Sequence, residues 1–150
     1  MKLQDILTLD CTSCAVQATS KKRLLEHICE IAASSIGNVD PSDLLDSLLD
    51  REKMGSTGIG NGIAIPHGRL TKTEKAVAVL LTTEEAIDFD AIDNRDVDIF
   101  ISLFVPEDRC SEHLETLQSI AKLFSDKQTL KQVRKCTSDQ QLFDLIQQAS

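Results

Sequence analysis

Residues 97–105 read VDIFISLFV, seven apolar side chains around one carboxylate and one hydroxyl, and Pro106 follows. A strand with one wet face alternates polar and apolar residues, so one this uniformly apolar must be covered on both faces. Proline then ends it, because it offers no N–H to a neighbouring strand. The rest of the chain must supply layers for each side of this central strand. Residues 63–66 and 76–81 are short, apolar and partly β-branched, and read as further strands.

The covering layers read as amphipathic helices. Ser20 caps a helix running to about Ser35, with Leu24, Leu25, Ile28, Ile31 and Ala32 on one stripe. Asp40-Pro41 opens a second, since Asp is a good cap and proline at the first helical position gives up no needed donor. Leu44, Leu45, Leu48 and Leu49 form its buried stripe, and Arg51 lies just past it, near the helix end. Leu114, Leu117, Ile120, Ala121 and Phe124 mark a third helix. Leu142, Phe143, Leu145 and Ile146 mark a fourth, opened by a Ser138…Gln141 capping box. Helices before and after several buried strands predict an α/β fold, with helices on both faces of the sheet and a single domain over residues 1–150.

Charge narrows the partners. With 16 Lys+Arg against 24 Asp+Glu, the net charge of −8 disfavours nucleic acid and anionic membrane surfaces. The aromatic residues are five phenylalanines, too few for base-stacking platforms. No export signal is visible, and the longest apolar run, residues 76–81, is far too short to enter a bilayer. A cytoplasmic chain is expected, in which Cys11, Cys14, Cys29, Cys110 and Cys136 stay free thiols.

Chemistry concentrates in residues 51–68, REKMGSTGIGNGIAIPHG, which hold five of the six glycines. Glycine lets backbone N–H groups approach an anion closely. A P-loop would need Lys-Ser/Thr after Gly60, where Asn61-Gly62 stands. A dinucleotide fingerprint would need glycine where Ile63 stands. The loop therefore suits one small anion rather than a nucleotide. His67, fixed by Pro66 before it and given room by Gly68, is the reactive group: imidazole is nucleophilic near neutral pH when one ring nitrogen is bare and the other N–H is held. A phosphoryl group placed there brings about two negative charges, which Arg51 and backbone donors can meet.

The segment resembles the phosphoacceptor loop of the type-2 (fructose/mannitol class) IIA components of the bacterial phosphoenolpyruvate-dependent phosphotransferase system (PTS), and most of all the nitrogen-regulatory IIA proteins of that class. Supporting blocks are Ser20-Lys-Lys-Arg-Leu-Leu-Glu26, Ile87-Asp-Phe-Asp-Ala-Ile-Asp93, Val97-Asp-Ile, Leu103-Phe-Val-Pro106 and His113-Leu114, in order along the chain. The resemblance implies a mixed sheet of about five strands flanked by helices. It also implies a phosphoryl-transfer component with a phosphohistidine intermediate and no cofactor. On it, His67 is the phosphoacceptor, reacting through Nε2, Arg51 the active-site arginine, and His113 a second histidine beside the phosphorylated ring. Ser56, Thr57 and Gly58 fall in the phosphate-contacting loop. The implied donor is a histidine-phosphocarrier protein. The implied readers are regulated proteins, in families tied to nitrogen metabolism and potassium homeostasis.

Two alternatives stand beside this reading. A sugar-transport IIA would use the same histidine to pass its phosphoryl group to a IIB module. Cys11-x-x-Cys14 with Cys110-x-x-His113 also composes a formal zinc set, although most of the chain separates the pairs; no metal is expected. Glu84, Glu85, Asp88, Asp90, Asp93, Asp96 and Asp98 match no EF-hand spacing and read as a solvated face. Ile59, Ile63, Ile65 and Leu70 are the candidates for an apolar surface around His67 that expels water during transfer.

Overall fold

The structure is a computed structural model that describes residues 2–71 and 75–149. Its central element is β6 (Val97–Pro106), whose residues from Ile99 to Phe104 are all buried. Successive strand residues point to opposite faces, so both faces are covered. The second long strand, β5 (Val77–Ile87), runs antiparallel to β6 with Leu80 opposite Ile101. β1 (Thr12–Val16) adds to the other side of β5 in parallel.

Two short strands lie end to end along the remaining edge of β6. β3 (Ile63–Ala64) pairs Ile63 with Ile99, and β4 (His67–Leu70) pairs His67 with Leu103, both parallel and at one sequence offset. They are one strand interrupted at Ile65-Pro66, where proline lacks the N–H that a ladder needs. The Pro66 carbonyl still accepts from Leu103 N (3.1 Å) and from Ser102 Oγ (2.8 Å). β2 (Gly58–Gly60) folds back antiparallel on β3. Six strands are thus distinguished among the described residues, and joining β3 to β4 gives the mixed, roughly five-stranded sheet that was expected.

The helices follow their caps. α1 (Leu3–Ile6) is a single turn. Ser20 accepts from Arg23 N to open α2 (Lys21–Ile36), and Asp40 from Ser42 N to open α3 (Pro41–Lys53), with Pro41 in the first turn. After β6 come α4 (Leu114–Leu123), α5 (Lys127–Lys135) and α6 (Asp139–Gln148). α2 and α3 pack on each other and against β5 and β4, while α6 packs against β1, and α1 touches α4 and α6. One contiguous core results, with Phe89, Phe100, Phe104 and Phe124 as its largest fully buried side chains.

Several expectations need adjustment. β5 continues past Leu81 to Ile87, although Glu84, Glu85 and Ala86 face solvent; a register shift after Thr82 lets the polar stretch project before Ile87 rejoins β6 at Val97. Leu114 is exposed instead of buried, because it stands at the first position of α4. Ser138 does accept from Gln141 N, but the Gln141 side chain reaches back to Thr137 N (2.8 Å), one residue early for a reciprocal box. None of the helices described is long and apolar enough to cross a membrane.

Candidate phosphoacceptor site

His67 opens β4 and sits half-buried at the edge of the sheet. Its Nδ1 lies 2.8 Å from the Ile65 carbonyl, and its Nε2 lies 3.2 Å from Arg51 Nε. A carbonyl can only accept, so Nδ1 carries the proton; an arginine N–H can only donate, so Nε2 presents its lone pair. Two independent partners thus select the same neutral tautomer. Burial pushes the His67 pKa below its ordinary value; the Ile65 carbonyl pulls it back, the Arg51 charge lowers it further and the Glu52 charge opposes that. The ring is held as a neutral nucleophile with Nε2 outward from its anchored edge.

The folded pKa lies below the unfolded reference of 6.5, so in that interval the unfolded chain binds more protons. The stability tied to the neutral ring is complete above the unfolded value and is lost as pH falls through the window. On acidification from about pH 7.5 to about 5.5, the urea midpoint of the wild type is expected to fall further than that of His67→Gln. Parallel curves for the two proteins would contradict this assignment.

Arg51 comes from the last turn of α3, and its Nη1 donates to the Gly55 carbonyl (2.9 Å) just beyond the helix end. Helix termination and guanidinium placement are therefore one arrangement. Ser56, Thr57 and Gly58 form the descending side of the loop, and both hydroxyls and the N–H groups of Thr57 and Gly58 are engaged. Ser56 Oγ donates to the Phe89 carbonyl (2.7 Å) and accepts from Gly58 N (3.0 Å). Thr57 N–H and Oγ1–H both go to the Glu52 carboxylate. The loop then turns at Asn61 (φ 59°) and Gly62 (φ 81°), the positive pair that a two-residue type I′ hairpin requires. Asn-Gly between short apolar stretches is the signal in the sequence that marks this hairpin.

Two clamps hold that hairpin. Arg134 of α5 donates to the Asn61 carbonyl (2.8 Å) and grips Asp98 through Nε and Nη2. Asp93 accepts from Asn61 N (3.0 Å) and Arg95 N (3.1 Å), bonds to backbone N–H groups that lower its carboxyl pKa. Members of the acidic set thus serve turn geometry as well as solvation.

His113 makes its side-chain contact outside this cluster. It is buried at the N-cap of α4, and its Nδ1 lies 3.5 Å from Thr116 Oγ1. The structure gives it no hydrogen bond to His67. Of the four apolar candidates for a contact surface, Ile63, Ile65 and Leu70 are buried in the sheet; Ile59 is exposed. Two exposed residues join it from segments bonded to the loop: Met54 at 84% and Ile92 at 82% exposure, the Ile92 N–H meeting the Gly58 carbonyl. No group of three or more His, Cys, Asp or Glu able to hold a metal occurs among the described residues, so the Cys/His zinc set is not assembled. The five cysteines are free thiols.

A small mixed α/β domain with a neutral histidine under an arginine, beside a clamped glycine loop, defines a class that comparison with known families identifies. Residues 5–149 match the family described as the phosphoenolpyruvate-dependent sugar phosphotransferase system, EIIA 2, and the chain belongs to it. Within that family its likeness is to nitrogen regulatory proteins. The one from Escherichia coli K12 is 46% identical over 147 residues, covering 97% of this chain and 90% of the relative. That of Klebsiella oxytoca is 45% identical over 150 residues, covering 99% and 92%. The crystal structure of nitrogen regulatory protein IIA-Ntr from Neisseria meningitidis superposes with a TM-score of 0.90 at 33% identity, covering 96% of this chain and 98% of that one.

Proposed function

We propose that this chain accepts a phosphoryl group on His67 Nε2 from a histidine-phosphocarrier protein, and that the state of His67 governs which proteins bind it. The observation that carries the reading is the double constraint on the ring: Nδ1–H on Ile65 O and a bare Nε2 facing Arg51. In the transfer, the N–P bond to the carrier's imidazole breaks while the Nε2–P bond forms. His67 needs no base, since its proton stays on Nδ1, shared with the Ile65 carbonyl. The lone pair that attacks is the one Arg51 Nε now occupies, so Arg51 leaves Nε2 as the carrier docks and turns to the phosphoryl oxygens. Giving up that guanidinium–imidazole bond costs about 1.5–3 kcal/mol, which is offset because the contact that replaces it joins a cation to an anion rather than to a neutral ring. Met54, Ile59 and Ile92 supply apolar surface for excluding water, which phosphoryl transfer needs together with in-line placement. The family resemblance assigns His113 as the second histidine; its ring is buried with Nδ1 3.5 Å from Thr116 Oγ1. The regulatory role is favoured over sugar transport because the relatives at 45–46% identity are nitrogen regulatory proteins.

With enzyme I, phosphocarrier and phosphoenolpyruvate, the chain is expected to gain one phosphoryl group, labile in acid and stable in alkali, as a phosphoramidate is. Arg51→Ala is expected to slow uptake by about ten- to hundredfold while the circular dichroism stays that of the wild type. Unchanged kinetics in this variant would remove Arg51 from the site. An acid-stable product would move the acceptor to a hydroxyl.

A further inference from the structure

One charge pair beside the loop, with a buried carboxylate, has no part in the transfer scheme. Glu52 follows Arg51 in α3, and its side chain is only 6% exposed. Its carboxylate takes Thr57 N–H (3.2 and 3.3 Å to its two oxygens), the Thr57 hydroxyl, and Lys21 Nζ of α2 at 2.9 Å. Lys21 Nζ also stands 4.5 Å over the Phe89 ring and 3.9 Å from Asp90. Phe89 in turn holds Ser56 through its carbonyl. Lys21 therefore reaches both supports of the loop, the Glu52–Thr57 contact and the Phe89–Ser56 contact. A carboxylate this buried is costly unless every lone pair is matched, and here three donors meet it.

The loop it holds is the one that aims Arg51. Gly55 N donates to the Glu52 carbonyl (3.1 Å), and the Gly55 carbonyl receives Arg51 Nη1. A shift of Thr57 would carry Gly55 with it and free the guanidinium from its aim at His67. We infer that Glu52, neutralised by Lys21, is a positioning residue for phosphoryl transfer: it pins Thr57 so that residues 55–58 hold Arg51 against His67 Nε2. Lys21 has a second duty in this scheme. It cancels a carboxylate that would otherwise repel an arriving phosphoryl group a few residues away.

The inference rests on His67 as the acceptor, and its test separates the two claims. Glu52→Gln keeps the shape and one acceptor oxygen but loses the charge that holds Lys21. At saturating phosphocarrier its uptake rate is expected to fall at least about tenfold, with the carrier concentration for half-maximal rate changed by less than about twofold. An NMR titration of the His67 ring is expected to move to lower pH in Glu52→Gln, since a carboxylate that favours the protonated ring is gone. Lys21→Met, which leaves the Glu52 carboxylate without its counter-charge and is therefore assayed at a temperature where circular dichroism shows it folded, is expected to show the same rate loss, and Lys21→Arg to keep the wild-type rate. Wild-type rates and an unmoved ring titration in Glu52→Gln, or wild-type rates in Lys21→Met, would overturn the inference alone. A wild-type chain that takes up no phosphoryl group would overturn the proposed function, and this inference with it.

Discussion

His67→Ala is expected to take up no phosphoryl group under conditions that modify the wild type fully. No neighbour can replace the lost nucleophile. The Ser56 hydroxyl is spent on the Phe89 carbonyl and the Thr57 hydroxyl on Glu52. Arg51 is a cation and removes no proton, and His113 is buried against Thr116. A hydroxyl needs both a base and a clear approach before it attacks, and imidazole needs no base: Ser56 faces only a carbonyl, and Thr57, although on the Glu52 carboxylate, is buried. The variant should fold, because the substitution deletes two hydrogen bonds at a half-buried edge and buries no new charge. Partner binding gives a second readout. Phosphorylation adds about two negative charges to an exposed face, enough to cost several kcal/mol where a partner packs on the bare ring. A partner that discriminates phosphorylated from unmodified wild type should bind His67→Ala identically before and after treatment with the donor system. Label retained in the variant, or discrimination that persists without His67, would place the acceptor elsewhere.

How far sequence alone reaches depends on which interactions are local. Ser20, Asp40 and Ser138 cap helices through contacts two or three residues away, so α2, α3 and α6 could be read directly. β6 announced itself because burial on both faces leaves no room for alternation. α5 went unread: Leu130 and Val133 are its only apolar residues apart from flanking positions, too narrow a stripe to carry a period. β1 is TSCAV, and its place is set by β5 and by Asp139, whose carboxylate accepts from Cys14 N at 2.7 Å across most of the chain. The same division runs through the site. His67 and Arg51 sit in one glycine-rich segment and were singled out together. The role of Glu52 depends on α2 bringing Lys21 over it, and that of Arg134 on α5 bringing it to Asn61, contacts that no local pattern marks. Which of the four apolar candidates face outward is likewise set by the sheet: Ile63, Ile65 and Leu70 share one interrupted strand, which turns all three into the core and leaves Ile59 exposed.

Gly58→Ala is expected to have the second-largest effect, on stability and on phosphoryl uptake together. A methyl there would stand 2.7 Å from Ala91 Cβ and 2.9 Å from Ala91 Cα, and the backbone of residue 91 cannot rotate away as a side-chain tip would. Neither partner is free to retreat. Thr57 is tied to Glu52 and, through its carbonyl, to Ile65 N (3.0 Å), while Ile92 N is tied to the Gly58 carbonyl (3.3 Å). Overpacking of this kind costs about 3 kcal/mol at its upper end. For a chain of this length that lowers Tm by roughly 6–12 °C. Relief requires the loop to lift from residues 89–92, which draws Thr57 and Gly55 from their places and spoils the approach of Arg51 to His67. Uptake is therefore expected to fall by at least about tenfold at a temperature where the variant is still folded. Gly37→Ala separates the two effects. Gly37 has φ +76° and ψ 147°, a backbone region that is essentially glycine's alone, with open space around it and far along the chain from the loop, so alanine there is strained by about 1–3 kcal/mol through the backbone alone. It should lower Tm and leave uptake at the wild-type rate. Equal uptake by the two variants, measured where both are folded, would mean that the close fit of Gly58 on Ala91 serves stability only and does not set the geometry at His67.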